Sequence, residues 1–187
     1  MAKKPTHIKS KRGLLNAHGN CTKPVNEYFK HIPSLLEYYP LEVCLAYVFA
    51  RLELGQNMCL YCGVVRLHKV DTTVARGAVA THHMTRESFV SLYKTVYGLD
   101  LPKEALADLK QAEKIRDKVI HGKPSDDNSV RNAIARVLEF AEDVNEQLDT
   151  EHGLKPFGDL RGFSGRSKKL DGRTSRFILK GMGFAIA

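Results

Sequence analysis

PKEALADLKQAEKIRDKVIHG, residues 102–122, is the stretch whose reading decides the fold class. Pro102 suits the opening of a helix, where its missing N–H costs nothing. Leu106, Leu109, Ala112, Ile115 and Val119 then recur at helical spacings of three and four. Gly122, with Pro124 just beyond, supplies two stop signals. After a connection of a few residues, Asp126 or Asp127 is placed to cap a second helix. Its apolar positions Val130, Ile134, Val137, Leu138, Ala141, Val144 and Leu148 keep helical period until Gly153. Two such helices joined by a short loop favour antiparallel packing.

Working outward, Thr85 and Glu87 precede Phe89, Leu92, Tyr93 and Val96, a short helix closed by Gly98. Upstream, 26–39 reads as a helix interrupted or kinked by Pro33. Pro40 then leads into Leu41, Cys44, Leu45, Val48, Phe49 and Leu52. Gly55 is expected to end or bend that helix, and Gly63 to interrupt the continuation through Met58, Tyr61, Cys62 and Val65. The segment 71–83 stays open between helix and loop. Nothing alternates as a strand does, and the lone Asp-Gly pair, Asp171-Gly172, lies in the basic tail. The expectation is an all-α antiparallel helical bundle with basic N- and C-terminal extensions: an arm over 1–23, a helical domain over 24–153 and a tail over 154–187.

Charge gives the ends their interest. Of a formal net charge of +8, residues 1–23 hold six Lys/Arg and no acid, and 154–187 hold eight against Asp159 and Asp171. Basic arms of this kind attract polyanions, nucleic acid above all, although solvated tails are the plain alternative. In the tail, Arg161, Arg166, Lys168, Lys169, Arg173, Arg176 and Lys180 alternate with Phe157, Phe163 and Phe177. Such a mixture suits single-stranded RNA. The apolar end, Phe177-Ile178-Leu179 and Phe184-Ala185-Ile186, points to a tail docked on the bundle or on a dimer partner. No run approaches a membrane span and no secretory signal is evident, so the expected location is cytoplasmic, with Cys21, Cys44, Cys59 and Cys62 as reduced thiols.

Arg116 and His121 stand five apart at the end of the 102–122 helix, with Asp117 directly after the arginine. Five residues are about 140° of rotation, so the two share a face only if His121 leaves the helical cylinder at Gly122. A histidine there suits general acid–base work near neutral pH, and an arginine can hold a phosphate through two parallel hydrogen bonds. The plain alternatives are a histidine capping the last carbonyls, and an ion pair of Arg116 with Glu113 or Asp117.

The stretch Arg116-Asp117-Lys118-Val119-Ile120-His121-Gly122 resembles the Arg-x4–6-His motif of the HEPN (higher eukaryotes and prokaryotes nucleotide-binding) superfamily. The polar Asp117 and the glycine after His121 both fit, and the helical pattern agrees over about 25–152. The resemblance implies a homodimer whose two motifs face each other across a composite cleft, and a metal-independent endoribonuclease with no cofactor. It implies a toxin–antitoxin or phage-defence setting, with an antitoxin or other regulatory protein as a further partner. Catalytically silent members of the family only bind. On this reading Arg116, His121 and Asp117 are catalytic, and Lys118, Lys123, Arg161, Arg166, Lys168 and Lys169 bind RNA. Family toxins silenced by modification carry a tyrosine two positions after the histidine. Lys123 stands there in this chain, leaving Tyr93 or Tyr97 as tyrosines the cleft could use.

Cys59-x-x-Cys62 is the rival site. A structural zinc ion wants four ligands, and only His68 or the pair His82-His83 could complete the set. In an apolar helical stretch, cysteines packed as small hydrophobes are the stronger reading, and no metal is expected.

Overall fold

The computed structural model describes residues 7–82, 84–161, 163 and 168–186, and among these every regular element is a helix. In chain order they are α1 (Lys11–Gly19), α2 (Lys23–Tyr28), α3 (Ile32–Tyr38), α4 (Leu41–Arg66), α5 (Thr72–Thr81), α6 (Arg86–Tyr97), α7 (Lys103–Ile120), α8 (Asp127–His152) and α9 (Gly172–Met182). The all-α expectation holds. The chain divides into two compact units: residues 1–52 with 102–158, and residues 53–101 with 159–187.

In the first unit α7 and α8 form an antiparallel pair. Asp108 near the start of α7 pairs with Arg136 well along α8, as an antiparallel register requires. The buried face of α8 follows the expected periodicity, with Val130, Ile134, Val137, Leu138, Ala141, Val144 and Leu148. On α7 the buried stripe is Ala105, Leu109 and Ala112, and Leu106, Ile115 and Val119 stay half-buried. Asp126 caps α8 by accepting from the Ser129 amide at 3.0 Å, which satisfies an otherwise orphaned donor. Pro33 does not kink a long helix. It sits in the first turn of α3, so the expected 26–39 helix is two helices, α2 and α3.

The ends of this unit are ordered parts of it. Leu14 and His18, one helical turn apart, are buried on α1, so part of the basic 1–23 arm is a packed helix. Ile8 N–H donates to Asn132 Oδ1 at 2.8 Å, tying the segment before α1 to α8. Buried Asn145 of α8 clamps the backbone of Phe157, which lies beyond the end of that helix. Its Nδ2 donates to the carbonyl at 2.9 Å, and its Oδ1 accepts from the amide at 3.0 Å. Both polar groups of the amide side chain are thereby satisfied out of water, where leaving them unpaired is costly. The Phe157 ring packs edge-on against Tyr28 and Phe140.

The second unit takes the rest of α4 with α5, α6 and α9. Gly55 and Gly63 do not break α4, which runs through both. At Gly63 the reason is close approach: a Cβ there would lie 2.3 Å from Val96 Cγ1 and 2.8 Å from Tyr97 Cζ. Glycine lets α6 pack against this stretch of α4, and the contact outweighs its weak helix propensity. The open segment 71–83 contains α5, capped by Asp71 accepting from the Thr73 and Val74 amides. The apolar end of the chain docks within this unit, with α9 packed on α5 and α6 and with Leu179 and Phe184 buried.

Candidate active site

The site is built by the way α7 ends. Ala105, Leu109 and Ala112 define the inward stripe of the helix, and Arg116 is the next residue on it. A polar side chain on a core-facing stripe needs partners, and Arg116 has them. Its guanidinium carbon lies 5.0 Å from the centroid of Phe49 on α4, a cation–π contact. Its Nε and Nη2 donate to Asp117 Oδ1 at 3.0 and 2.9 Å. The ion pair with Asp117 anticipated for Arg116 is formed. The guanidinium rests on the ring and stays part-exposed.

His121 is the last residue of the helix path. Gly122 takes a left-handed φ of +65° and turns the chain away. The Gly122 amide donates to the Val119 carbonyl at 3.0 Å, and the Lys123 amide to the Lys118 carbonyl at 2.8 Å. These two bonds make a Schellman ending, which satisfies carbonyls that the helix leaves open. Backbone amides do this capping. The His121 ring is exposed and, among the described residues, has neither a hydrogen-bond nor an ion-pair partner, so it does not cap the carbonyls.

Beside this end an open groove of about 560 Å3 runs between α7 and α8. Gln111, Lys114 and Lys118 face it from α7, Ser129, Asn132 and Arg136 from α8. Asp117 lines it too, and so links the groove to Arg116. Apart from Asp117, the charged side chains on its walls are cations, although Arg136 is paired with Asp108. Of the expected residues, then, α7 gathers Arg116, Asp117, Lys118 and His121 at one end, and Lys123 is exposed just past it.

The tail residues belong to the second unit. Arg161 is exposed and pairs with Asp159; Lys168 is exposed. Lys169 Nζ donates to the Val65 carbonyl at 3.3 Å, and Arg166 lies outside the described residues. Phe49, Lys114 and Arg136 were missing from the expected set. Lys114 was legible four residues before Lys118, whereas Phe49 and Arg136 reach the site only through tertiary packing.

Tyr93 and Tyr97 are not available to a cleft. Both are buried in the second unit, and the Tyr97 hydroxyl donates to the Cys59 carbonyl. Burial raises both phenols above their ordinary range. Cys59 and Cys62 are packing residues: burial pushes the Cys62 thiol up to about 12 and Cys59 well above its ordinary value. No group of three or more metal-ligating side chains occurs among the described residues, and His83 lies outside them. None of the helices searched is long and apolar enough to cross a membrane.

Fold and site together define an all-α protein in which an Arg–Asp pair and a free histidine share the end of one helix, beside a groove with cationic walls. No protein-family model, curated protein or solved structure matches the chain.

Proposed function

We propose that the chain is a metal-independent endoribonuclease of HEPN type, acting as a homodimer with its two motifs facing one cleft. The observation that carries this reading is the end of α7. A part-exposed arginine is steadied on an aromatic ring, and an exposed histidine ring projects from the same helix end. Arg116 receives the scissile phosphate and stabilises the charge that develops on phosphorus. His121 removes the proton of the RNA 2′-hydroxyl as that oxygen attacks the adjacent phosphorus. The 5′ oxygen leaves and takes up a proton, which the same group in the second copy can donate. The products are a 2′,3′-cyclic phosphate and a 5′-hydroxyl end. Asp117 orients Arg116, and Lys114, Lys118 and Lys123 draw the RNA backbone to this end.

A silent RNA binder is the second reading, and the Arg116–Asp117 pair favours it. A guanidinium already neutralised by its neighbour can anchor a phosphate without activating it.

The test is incubation with total RNA and a labelled tRNA in EDTA, beside His121→Ala and Arg116→Ala. Each substitution should lower cleavage by about 10²-fold or more. Sedimentation should show a dimer. Cleavage retained by His121→Ala overturns the assignment. RNA retention without cleavage in the parent protein selects the silent binder.

A further inference from the structure

We infer that the outer face of α9 is a stacking surface for single-stranded RNA, carried by the second unit. Arg173, Arg176, Phe177 and Lys180 are all exposed, and they stand at i, i+3, i+4 and i+7. That spacing places them on one face of a helix. Phe177 is 79% exposed, the highest value for any large apolar side chain among the described residues. Its neighbours on the stripe are cations.

The rotation of α9 is fixed, so this exposure is built into the fold. Ser175 and Leu179 are buried on the opposite face, and the Asp71 amide donates to Ser175 Oγ at 2.9 Å. Asp171 caps the helix by accepting from the Arg173 and Thr174 amides, and Gly183 closes it with φ +97°. Rolling Phe177 inward would drive Ser175 and Leu179 out.

A second basic cluster adjoins the start of α9. Lys69 Nζ donates to the Arg66 carbonyl at 2.9 Å, and Lys169 Nζ to the Val65 carbonyl at 3.3 Å, at the end of α4. The Leu170 amide, next to Lys169, donates to the Lys69 carbonyl at 2.8 Å. Burial first, then the charges of Lys69 and Arg66, hold the Lys169 ammonium below its usual range, a sign of crowded positive charge. In sequence this unit carries twelve Lys/Arg against six Asp/Glu. A polyanion relieves that repulsion.

The occupant follows from the ring. From Arg173 to Lys180 the stripe spans about 10 Å, room for about three nucleotides stacked at 3.4 Å. A ring offered amid cations pairs a base face with phosphate contacts, and paired bases keep their faces inside the duplex. A membrane would instead need an apolar face to insert, and the apolar face of α9 is packed inside the unit.

The test uses the full chain with His121→Ala as the background, so that cleavage cannot confuse binding. A labelled 15-nucleotide oligo(U) is titrated by fluorescence anisotropy, against the same RNA annealed to its complement and against phosphatidylserine vesicles. Phe177→Ala should weaken oligo(U) binding about fivefold to a hundredfold, with Phe177→Trp restoring it. Arg173→Gln, Arg176→Gln and Lys180→Gln together should flatten the slope of log affinity against log salt by roughly 0.7 for each phosphate that is no longer neutralised. Unchanged oligo(U) binding by Phe177→Ala overturns the inference, as does equal weakening on single strand and duplex. Weakened vesicle binding alone would reassign the surface to lipid. The inference does not rest on the ribonuclease reading: absence of cleavage in the His121-containing protein would sink that reading and leave this one intact.

Discussion

Replacing Gly122 by alanine tests how the end of α7 is held. The residue has φ +65°, and a Cβ built on it meets nothing within 4 Å, so the cost is conformational and not steric. An L-residue with a Cβ loses about 1–2 kcal/mol in the left-handed region. Alanine returns about 0.4–1 kcal/mol by narrowing the unfolded ensemble. The strain wins, and the net expected loss is about 1 kcal/mol. For a chain of this size that is roughly 2–4 °C in melting temperature. Asparagine tolerates this conformation better, so Gly122→Asn should recover part of the loss. Urea unfolding of both variants reads the energies directly. The same substitutions bear on the site, because the Gly122 and Lys123 amides bond back to Val119 and Lys118 and fix where His121 leaves the helix. If alanine costs nothing and asparagine is no better, the left-handed ending does not hold the last turn, and it does not position His121.

Gly63→Ala should destabilise by about 1–3 kcal/mol, since 2.3 Å to Val96 Cγ1 is overpacking that the gain in helix propensity does not cover; a thermal melt with no loss would refute the close approach. Gly77→Ala, on open α5, should instead stabilise by up to about 1 kcal/mol in the same melt. His18 is buried, with Nε2 against the Asn26 carbonyl and Nδ1 facing Asn26 Nδ2, so burial holds its pKa below 6.5. The unfolded chain then binds the extra proton, and stability should fall as pH drops below 6.5, by at most about 1.4 kcal/mol per pH unit; urea unfolding of His18→Gln across this range should show a shallower fall. In the native protein Cys21 should react with a thiol reagent well before buried Cys44, Cys59 and Cys62, and guanidinium should release all four.

Local pattern carried the sequence reading furthest where one helix face meets one core. The stripes of α6 and α8 and the stops at Gly98, Gly122 and Gly153 are local facts, and each stands in the structure. On α7, by contrast, the buried stripe is Ala105, Leu109 and Ala112, and the expected Leu106, Ile115 and Val119 are only half-buried. Gly63 misled because its role is set by Val96 and Tyr97 of another helix, which the sequence around it does not mention. The helix within the basic arm escaped notice because two buried residues, Leu14 and His18, are too few to establish a period. At the site, Arg116, Asp117 and His121 were legible together because they share one helix end. The ring beneath Arg116 was not, since Phe49 lies on α4 and arrives by packing.

That ring offers a way to separate a positioned arginine from one merely stored at the end of a helix. Phe49 is 3% exposed, and the Arg116 guanidinium lies 5.0 Å from its centroid. Phe49→Leu keeps an apolar side chain in the core but removes the π face. A part-exposed cation–π contact is worth about 0.5–1 kcal/mol, so if the ring holds Arg116 against the scissile phosphate, RNA cleavage should fall about two- to fivefold. The same change made in Arg116→Ala should then cost nothing further, because the group it positions is gone. Rates of the two single variants and the double variant close a cycle in which any general loosening of the core appears on both sides and cancels. A coupling near zero would mean that the ring serves only the core, and that the orientation of Arg116 comes from Asp117 instead.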